Sequence, residues 1–508
     1  MKRKITTRTK SIPNPERRRF LEKAGGVMAG SLILPSLSFA VGNPGQESMQ
    51  TLANLKNAVS GSVIEHGTPN YEPWRRSMIW QYRNFRRYPD IMVQAENEDD
   101  VVAAVKFARE NKLKITTRSG GHSWSGCFLR NGGVLLDLSR LQSVKIDVEG
   151  KQAIVEPGVI GRVLNARLGE VGLAFPTAHC GMVGVSGFLL GGGLGLNGTA
   201  WGGISTSNIQ AIDLVTAEGE KLHASAEENQ DYFWAARGAG PGLFFTVTRF
   251  YLKCYALPKA ITTAMYTLPY SELVALAEAL DELGPNIDPR IEMLGVVIPT
   301  PQELKTGGKY GNHRHVCLLS ATAFVDSTSE AARILEPITR HPVMKNALDI
   351  LPDRATTIEM LYHDNEVPFP QAHARVDNIF TNRVAEATEV LSRHMPSAPS
   401  NSNTPVILWR GDLDFPNSAY SSEGRFYFAG YAQWAHAADD YANQEWLRLL
   451  FDDLQPYASG HYINEFDRET RPLQTSACFS EANWEKLQYL RRRYDPDGVF
   501  HTFLGMPS

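Results

Sequence analysis

Apolar and polar positions ahead of the first glycine-rich stretch predict a strand, a helix and a second strand. The runs 90–95 (DIMVQA) and 113–118 (LKITTR) are short and apolar, and both are typical of strands. Between them, Val101 and Val105 lie four residues apart, which is the spacing of one helix face. Asn97 is the kind of residue that caps a helix N-terminus, so we expect the helix to begin just after it.

The rest of the chain continues this mixture of strands and helices. The patterns predict strands at 133–139 and 152–158, a helix at 161–172, a hairpin at 209–224, a loop or linker at 394–405 and an amphipathic helix at Ser480–Tyr494. We interpret the chain as a first domain over 51–256, an inserted domain over 257–465, and a last segment, 466–508, that returns to the first domain.

One strand in the inserted domain has two chemically different faces. The segment 424–434 (GRFYFAGYAQW) alternates with period two, so its odd and even positions face opposite sides of a sheet. The odd positions include Arg425, Tyr427, Tyr431 and Gln433, whereas the even positions carry large apolar rings. One face is expected to pack in a core, and the other either lines a pocket or is simply half-exposed.

Composition restricts the class of protein. The 508 residues are 43% hydrophobic and 21% charged with a net charge of -4, which indicates a globular protein and disfavours nucleic-acid binding. The five cysteines include no Cys-x-x-Cys pair, so neither a zinc site nor a redox pair is indicated. One disulfide bridge would be possible in an exported protein.

The first 40 residues have the order of an export signal: a basic start, a short apolar stretch and a small-residue end. Pro35 and several glycines interrupt the apolar stretch, so a membrane-spanning helix is not expected. The segment 17–21 (RRRFL) resembles the twin-arginine signal. That route exports proteins already folded around a cofactor, and a periplasmic or secreted location is therefore predicted.

Two glycine-rich stretches carry the candidate chemistry. The first, 118–127 (RSGGHSWSGC), is consistent either with a tight turn that contains a histidine of no chemical role or with a loop that binds a phosphate through its backbone. The second, 178–203, contains Gly193, Gly195 and Gly198 in the G-x-G-x-x-G pattern of a dinucleotide fold. The residues after Gly198 (TAWGG) would make a poor helix, so a groove lined by backbone is the better interpretation.

Each stretch also carries one reactive side chain. His122 lies in the first and Cys180 in the second. An imidazole and a thiolate can both bond to a flavin ring, the imidazole at the methyl carbon on position 8 and the thiolate at position 6. Both attacks require an unprotonated nitrogen or sulfur held against the ring.

The motifs resemble those of a known flavoprotein family. RSGGHSWSG resembles the phosphate loop of the vanillyl-alcohol-oxidase type, and 179–195 (HCGMVGVSGFLLGGGLG) resembles its berberine-bridge-enzyme-like branch, which includes oligosaccharide oxidases. The segments 231–253 and 494–500 are similar to further parts of that pattern. Gly181, Met182 and Ser186 depart from it. The resemblance implies an α+β protein whose FAD-binding domain of PCMH type carries an inserted substrate domain, an antiparallel sheet covered by helices.

The resemblance also implies a set of cofactor contacts, with the backbone of 119–123 around the FAD pyrophosphate. These contacts are Arg118, Ser119, Gly120, Gly121, His122 and Ser123 in the first loop, Cys180, Val183, Gly184, Val185, Gly187, Gly191, Gly192 and Gly193 in the second, and Val247 and Tyr494 in the two later segments. It further implies that FAD is attached through both His122 and Cys180.

Catalysis requires a group that takes a proton while hydride leaves the substrate. In the family the motif Tyr-x-Asn lies over the flavin, and here it is Tyr462 and Asn464. The resemblance assigns Tyr462 as the base or its partner, although a structural tyrosine is the alternative. Tyr427 is the further catalytic candidate, and if Tyr462 is only structural the base is to be sought among Tyr427, Tyr431 and Glu465. The small Val183, three residues after Cys180, implies reactivity with oxygen.

The expected function is a secreted FAD-dependent oxidase that oxidises an alcohol or hemiacetal, with a carbohydrate as one option, and passes electrons to O2 to give H2O2. Two alternatives remain open: a dehydrogenase or oxidase of an aromatic or amine substrate, and a flavin-carrying electron-transfer or binding protein. The expected partners are a small-molecule substrate, O2 and the twin-arginine export machinery. No nucleic acid, no metal and no stable membrane span in the mature form is expected.

Overall fold

A parallel sheet positions the first glycine-rich loop. The computed structural model describes residues 52–306 and 313–506, so the predicted export signal lies outside the described residues. Strands β1 (Ser62–Glu65), β2 (Ile91–Gln94), β3 (Ile115–Arg118) and β4 (Val134–Asp137) form a sheet in the order β1-β2-β4-β3. Strands β2, β4 and β3 are parallel, and β1 is antiparallel to β2. Strand β3 ends where the loop begins.

The helix predicted between β2 and β3 is confirmed. This helix is α2 (Glu98–Glu110), and a shorter helix, α1 (Tyr71–Ser77), precedes β2 in the chain. The Asn97 side chain accepts a hydrogen bond from the Asp100 backbone N–H, which satisfies one of the free donors at the helix N-terminus. Val101 and Val105 are fully buried against the sheet.

An antiparallel sheet follows and positions the second glycine-rich stretch. Its strands are β5 (Val144–Asp147), β6 (Gln152–Val155), β8 (Ile209–Val215), β9 (Lys221–Ser225) and β10 (Thr246–Lys253), in the order β5-β6-β10-β8-β9. Two very short strands, β7 (Leu173–Ala174) and β11 (Tyr255–Ala256), pair beside it. The helices here are α3 (Gly161–Gly169), α4 (Val185–Leu190) and α5 (Gln230–Ala236). The predicted hairpin of β8 and β9 is confirmed.

The dinucleotide-fold interpretation of the glycine run is rejected, as the sequence indicated. Turns follow Gly198 where that fold would open a helix. The short helix α4 precedes the run instead, so the glycines after it form an irregular loop.

A seven-stranded antiparallel sheet forms the second half of the molecule, in the order β15-β12-β14-β13-β17-β18-β16. Its strands are β12 (Ala260–Pro269), β13 (Ile291–Pro299), β14 (His315–Val325), β15 (Asp349–Thr356), β16 (His373–Thr381), β17 (Thr404–Trp409) and β18 (Phe426–Trp434). The predicted linker at 394–405 is therefore shorter than expected, because its last two residues already belong to β17.

The helices of this half are α6 (Leu273–Leu283), α7 (Gln302–Thr306), α8 (Thr328–Arg340), α9 (Ile358–Glu366), α10 (Val384–His394) and α11 (Asp440–Leu454). Helix α9 lies on the cavity side of the sheet, where Leu361 and Tyr362 share an apolar cluster with Ile261 and Phe324. Helices α6, α8, α10 and α11 share the largest apolar core with the sheet, and this core contains the Phe426 and Phe428 rings of β18. The two-faced pattern of that strand is thus confirmed, and its tyrosines lie on the opposite face.

The chain ends by returning to the first sheet. Helix α12 (Glu481–Tyr494) begins after Ser480, whose hydroxyl accepts a hydrogen bond from the Asn483 backbone. Phe500 then pairs in parallel with Ile115 of β3. The α+β class predicted from the sequence is confirmed. Among residues 52–306 and 313–506, no helix is long and apolar enough to cross a membrane.

Candidate active site

A cavity of about 830 Å³ lies between the two glycine-rich stretches, helix α9 and the face of the seven-stranded sheet opposite its main helical core. Of the predicted site residues, its lining includes Arg118, Ser119, Gly120, Gly121, His122, Ser123, Cys180, Val183, Gly184, Gly187, Val247, Tyr427, Tyr462 and Asn464. The structure therefore brings both loops, both candidate attachment residues and all three candidate catalytic residues to one space.

Five predicted cofactor contacts lie outside the lining. Val185 is buried in the core of the second sheet, and Gly193 donates its N–H to the Tyr462 hydroxyl. Gly191 and Gly192 lie with Gly193 in the same loop, where Gly191 packs directly on the Asn464 side chain. Tyr494 is held away from the cavity because its hydroxyl donates to Asp231 and its ring packs on Tyr232.

The two glycine-rich loops touch through their main chains. A Cβ atom built on Gly120 would lie 2.8 Å from the Gly184 Cα atom, and a Cβ on Gly184 would lie 2.9 Å from the Gly120 Cα atom. Gly121 has a φ of +71°, which favours glycine. The loops thus offer main chain rather than side chains to the cavity, as a pyrophosphate cradle requires.

His122 is held as a neutral imidazole. Its ring stacks on Trp80 with centroids 4.5 Å apart and parallel planes. Burial lowers the pKa of His122 to about 4. At neutral pH the ring therefore has an unprotonated nitrogen, which is the form that can attack a carbon atom. The buried indole Nε1 of Trp80 has no partner among the described residues, so it is available to a ligand in the cavity.

Cys180 lies beside His122, with 3.7 Å between Sγ and the His122 Nε2. Burial raises the pKa of Cys180 to about 11, so its thiol is protonated at neutral pH. The thiol donates to Glu366 Oε1 at 3.5 Å, and the Gly181 N–H donates to the same oxygen at 3.1 Å. The thiol and the Gly181 N–H therefore hold one Glu366 oxygen next to the Cys180 sulfur.

Arg162 holds that carboxylate in its charged form. Its Nη2 lies 2.9 Å from Glu366 Oε2. Burial acts to raise the pKa of Glu366, but the bond and charge of Arg162 outweigh burial, and the pKa lies below its ordinary value. Cys180 thus has an ionised proton acceptor next to it, whereas His122 needs none.

Tyr462 and Asn464 form a hydrogen-bonded pair in the cavity. The Tyr462 oxygen accepts from the Asn464 Nδ2 at 3.0 Å and from the Gly193 N–H at 3.2 Å. Asn464 also donates to the Phe188 carbonyl, which fixes its amide. Burial raises the pKa of Tyr462 well above its ordinary value. The phenol is therefore neutral at neutral pH.

Glu465 is the carboxylate at the centre of the site. It accepts hydrogen bonds from the hydroxyls of Tyr427 and Tyr431, the latter at 2.6 Å, and it lines the cavity. Burial raises the pKa of Glu465 above its ordinary value, and the two tyrosine bonds only partly offset this effect. Burial likewise keeps the pKa values of both tyrosines well above ordinary, so they act as donors.

A second acid–base pair includes the cavity-lining residue His179. The His179 Nε2 lies 3.0 Å from Glu292 Oε1, and the Asn197 N–H donates to Glu292 Oε2 at 3.0 Å. Burial would lower the pKa of His179, but the charge of Glu292 outweighs burial and raises it. This pair bridges the second loop and strand β13.

Two residues of the alternating strand serve other purposes. Arg425 pairs with Asp281 on helix α6, with 3.3 Å between Nη2 and Oδ1. Gln433 is buried, and its amide donates to the backbone carbonyls of Pro368 and Ser402. All five cysteines, which lie within the described part of the chain, are free thiols.

Several site residues were missed from the sequence. His179 directly precedes Cys180, so its neighbour was a usable signal. Arg162, Glu292 and Glu366 lie in segments without a motif, and only the tertiary fold brings Glu366 to the cavity and places Arg162 and Glu292 against the lining residues Glu366 and His179.

Comparisons with known proteins agree with this geometry. Residues 89–225 match the FAD binding domain family. The chain is 30% identical over 437 residues to the FAD-linked oxidoreductase nodO of Hypoxylon pulicicidum, covering 83% of this chain and 92% of that protein. It is 35% identical over 219 residues to (R)-6-hydroxynicotine oxidase of Paenarthrobacter nicotinovorans, covering 42% and 47%.

Solved structures show the same fold. A berberine-bridge-enzyme-like protein of Physcomitrella patens aligns with a TM-score of 0.75 at 20% identity, over 90% of this chain and 99% of that one. Xylooligosaccharide oxidase of Myceliophthora thermophila aligns with a TM-score of 0.73 at 22% identity, over 89% and 98%. The resemblance drawn from the sequence motifs is confirmed, and the chain belongs to the FAD-linked oxidoreductases of the vanillyl-alcohol-oxidase type.

Proposed function

We propose that this FAD-dependent oxidoreductase is a secreted oxidase that removes hydride from an alcohol or hemiacetal carbon and releases H2O2. The observation that carries the proposal is the Glu465 carboxylate, held by Tyr427 and Tyr431, in the same cavity as His122 and Cys180. A proton acceptor and a cofactor attachment site in one enclosed space are what alcohol oxidation requires.

The residues present fit FAD. The contact between Gly120 and Gly184 leaves main chain facing the cavity for the pyrophosphate, and the cavity volume accommodates a cofactor with a small substrate. When bound, FAD supplies the two-electron acceptor for the hydride. His122 and Cys180, 3.7 Å apart, are positioned to attach to the same edge of the ring, and we propose that both do so.

Glu465 is the base in this proposal. A carboxylate with a raised pKa accepts a proton from a substrate hydroxyl more readily than an ordinary one, because its protonated form is less acidic. Tyr427 and Tyr431 donate to Glu465 and fix its direction. Tyr462, the leading candidate from the sequence, is less suited because burial raises the pKa of its phenol well above the ordinary value, so the phenolate that would act as the base does not form at neutral pH.

The electron acceptor in this proposal is O2. Val183 lines the cavity three residues after Cys180, and its small side chain leaves access for oxygen in the way the family resemblance implies. Peroxide release during turnover, measured with a coupled peroxidase, distinguishes an oxidase from a dehydrogenase that needs another carrier.

Export by the twin-arginine route is the proposal for localisation, and it rests on the segment 17–21. We expect replacement of Arg17, Arg18 and Arg19 by Lys to leave FAD-loaded protein in the cytoplasm. Unchanged recovery from the periplasm would contradict that route.

Anaerobic substrate screening tests the main proposal. Alcohols, sugars and amines are mixed with the holoenzyme without oxygen, and loss of flavin absorbance near 450 nm is followed, which is roughly where oxidised flavin absorbs most strongly in the visible. Air is then admitted and peroxide is quantified. Bleaching by an alcohol followed by stoichiometric peroxide supports the proposal, whereas bleaching by amines alone would contradict it.

A further inference from the structure

The face of the seven-stranded sheet that meets the cavity is aliphatic over several strands. Strand β13 alternates between fully buried positions, which face the helices, and half-buried positions, which face the cavity. We call the cavity-facing aliphatic side chains the aliphatic wall: Met265, Leu294, Val296, Ile298, Leu318 and Leu408. They come from strands β12, β13, β14 and β17.

Strand register makes the aliphatic wall continuous with the polar centre. Tyr427 pairs with Leu408, Leu408 with Leu294, Leu294 with Ser320, and Ser320 with Met265. Neighbouring strands lie about 4.8 Å apart, so four steps extend roughly 19 Å from Tyr427 across the sheet. A ligand whose reacting end is at Glu465 would lay the rest of its body along this row.

The wall offers few hydrogen bonds to such a body. Ser320 is the polar member of the row beyond Tyr427. Glu292 lies on the same face of β13, but both its oxygens already accept bonds, from His179 and from the Asn197 backbone. Polar lining residues such as His363, Asp364 and Asn365 come from helix α9 and not from the wall. Each buried hydroxyl without a partner weakens binding roughly 5- to 150-fold, so sugar hydroxyls that face the wall would bind poorly.

We infer that the substrate is a hydrophobic alcohol, with one hydroxyl at the end of an extended hydrocarbon body, rather than an oligosaccharide. This inference rests on the proposed alcohol oxidation and names its substrate class. The hydroxyl lies among Tyr427, Tyr431 and Glu465, and the hydrocarbon body covers the aliphatic wall. Aromatic rings near the polar centre add apolar surface, since the Trp124 and Phe369 rings lie 5.1 and 4.9 Å from the Tyr431 ring.

Binding of alcohols that cannot react tests the class without relying on catalysis. Tertiary alcohols have no hydrogen on the carbinol carbon, so no hydride can leave. Their affinity for the holoenzyme is measured by calorimetry as the hydrocarbon chain lengthens. We expect the Kd to fall about three- to fourfold per methylene until the wall is filled. An affinity that does not change with chain length would overturn the inference.

Primary alcohols of the same lengths, cellobiose and xylobiose are then compared by anaerobic flavin bleaching. Tight binding of long tertiary alcohols with no bleaching by any primary alcohol would leave the substrate class intact and reject alcohol oxidation. Bleaching by the disaccharides with efficiency equal to that of the long alcohols would leave alcohol oxidation intact and reject the hydrophobic substrate class.

Variants in the wall locate the effect. We expect Leu318→Asn to weaken binding of a long tertiary alcohol at least tenfold and that of a short one less than twofold. Ile350→Asn is the matched control, because Ile350 is an exposed apolar residue on the edge strand of the same sheet and outside the cavity lining. Equal effects of the two variants, or none in either, would overturn the assignment. Thermal melting of the holoenzyme, with its flavin-to-protein absorbance ratio, checks that Leu318→Asn folds and is loaded.

Discussion

The Cys180 thiol and the Glu366 carboxylate lie 3.5 Å apart although 186 residues separate them in the chain. Cys180 belongs to the second glycine-rich loop, and Glu366 is the last residue of helix α9 in the other half of the molecule. Arg162 completes the cluster by bonding the second Glu366 oxygen. A residue of one half is therefore positioned to deprotonate a nucleophile of the other.

Removing the Glu366 charge should slow attachment through Cys180. The thiol's pKa is about 11, so a neighbouring base is needed to form the thiolate at neutral pH. In a His122→Ala background, where Cys180 is the remaining tether, we expect Glu366→Gln to reduce the fraction of covalently bound flavin severalfold or more. Intact-protein mass and the colour of acid-precipitated protein measure this fraction.

Glu359→Gln is the matched control for that experiment. Glu359 also pairs with Arg162, with 3.0 Å between Oε1 and Nε, but its carboxylate is mostly exposed and does not contact Cys180. We expect this variant to attach flavin normally. Equal attachment in the two glutamine variants would show that Glu366 is not the base.

The two tethers themselves are tested by single and double variants. Cys180→Ala should keep colour on acid-denatured protein through His122, because the neutral imidazole needs no external base. His122→Ala should keep colour through Cys180, and the double variant should lose it. Colour that washes off the denatured wild type would reject both attachments.

Local patterns predicted the scaffold of the site well. The spacing of Val101 and Val105 indicated helix α2, and the period of 424–434 separated the Phe426 face from the Tyr427 face, because both signals are local geometry. The contact of Gly120 with Gly184 and the approach of Glu366 to Cys180 depend on how distant segments pack. Local periodicity contains no information on such contacts, so the sequence did not predict them.

The family resemblance assigned both the cofactor loops and the catalytic base, and the structure supports the first assignment more directly than the second. The resemblance assigned Tyr462 as the base on the strength of a motif. The structure gives Tyr462 two accepted hydrogen bonds and gives the next carboxylate, Glu465, two donors. Both groups accept two hydrogen bonds, so their acidity distinguishes them: burial raises the pKa of the Tyr462 phenol well above its ordinary value and keeps it protonated, whereas Glu465 is a carboxyl group. Burial of this kind depends on the tertiary fold and cannot be read from the order of residues along the chain. The domain boundaries and the export signal stay predictions.

The contact of the two glycine-rich loops gives a prediction about FAD retention. A Cβ atom on Gly184 would approach the Gly120 backbone to 2.9 Å, and backbone cannot move aside as a flexible side chain can. We expect Gly184→Ala to destabilise the fold by about 1–3 kcal/mol and to lower the FAD content of the purified protein. Differential scanning calorimetry and the flavin-to-protein absorbance ratio measure the two effects.

Gly169→Ala is the control for the crowding argument. A Cβ atom at Gly169 meets no atom within 4 Å, and this glycine is the last residue of helix α3. The control should melt at or slightly above the wild-type temperature, since alanine favours the helix. A Gly184→Ala protein that melts with the wild type and is fully loaded would show that the loops can separate.

The burial of Glu465 predicts a pH dependence with a definite sign. Its pKa is raised in the folded protein, so the charged form is disfavoured by folding and costs stability once the pH exceeds the ordinary value of 4.5. The carboxylate is also the form that accepts a proton. We therefore expect the rate of anaerobic flavin reduction to rise with pH through a midpoint above 4.5. Over the same interval the free energy of unfolding should fall. A rate that falls as the pH rises through this interval would contradict the assignment.

Glu465→Gln and Tyr462→Phe separate the two candidate bases. The glutamine keeps an oxygen that accepts from Tyr427 and Tyr431 but cannot take a proton at neutral pH. We expect flavin reduction to slow roughly 10²–10⁴-fold, the usual effect of removing a positioned general base, and the pH midpoint to disappear. Because the buried charge is removed, the melting temperature at pH 8 should equal or exceed that of the wild type.

Tyr462→Phe loses an acceptor for Asn464 and Gly193, so it should reduce stability but slow flavin reduction less than tenfold, with the pH midpoint retained. Rapid mixing without oxygen gives the reduction rates, and mixing the reduced protein with air gives reoxidation, which should change little in either variant. If Tyr462→Phe loses the midpoint and Glu465→Gln keeps it, the proton goes to Tyr462, and the cluster around Glu465 only shapes the cavity.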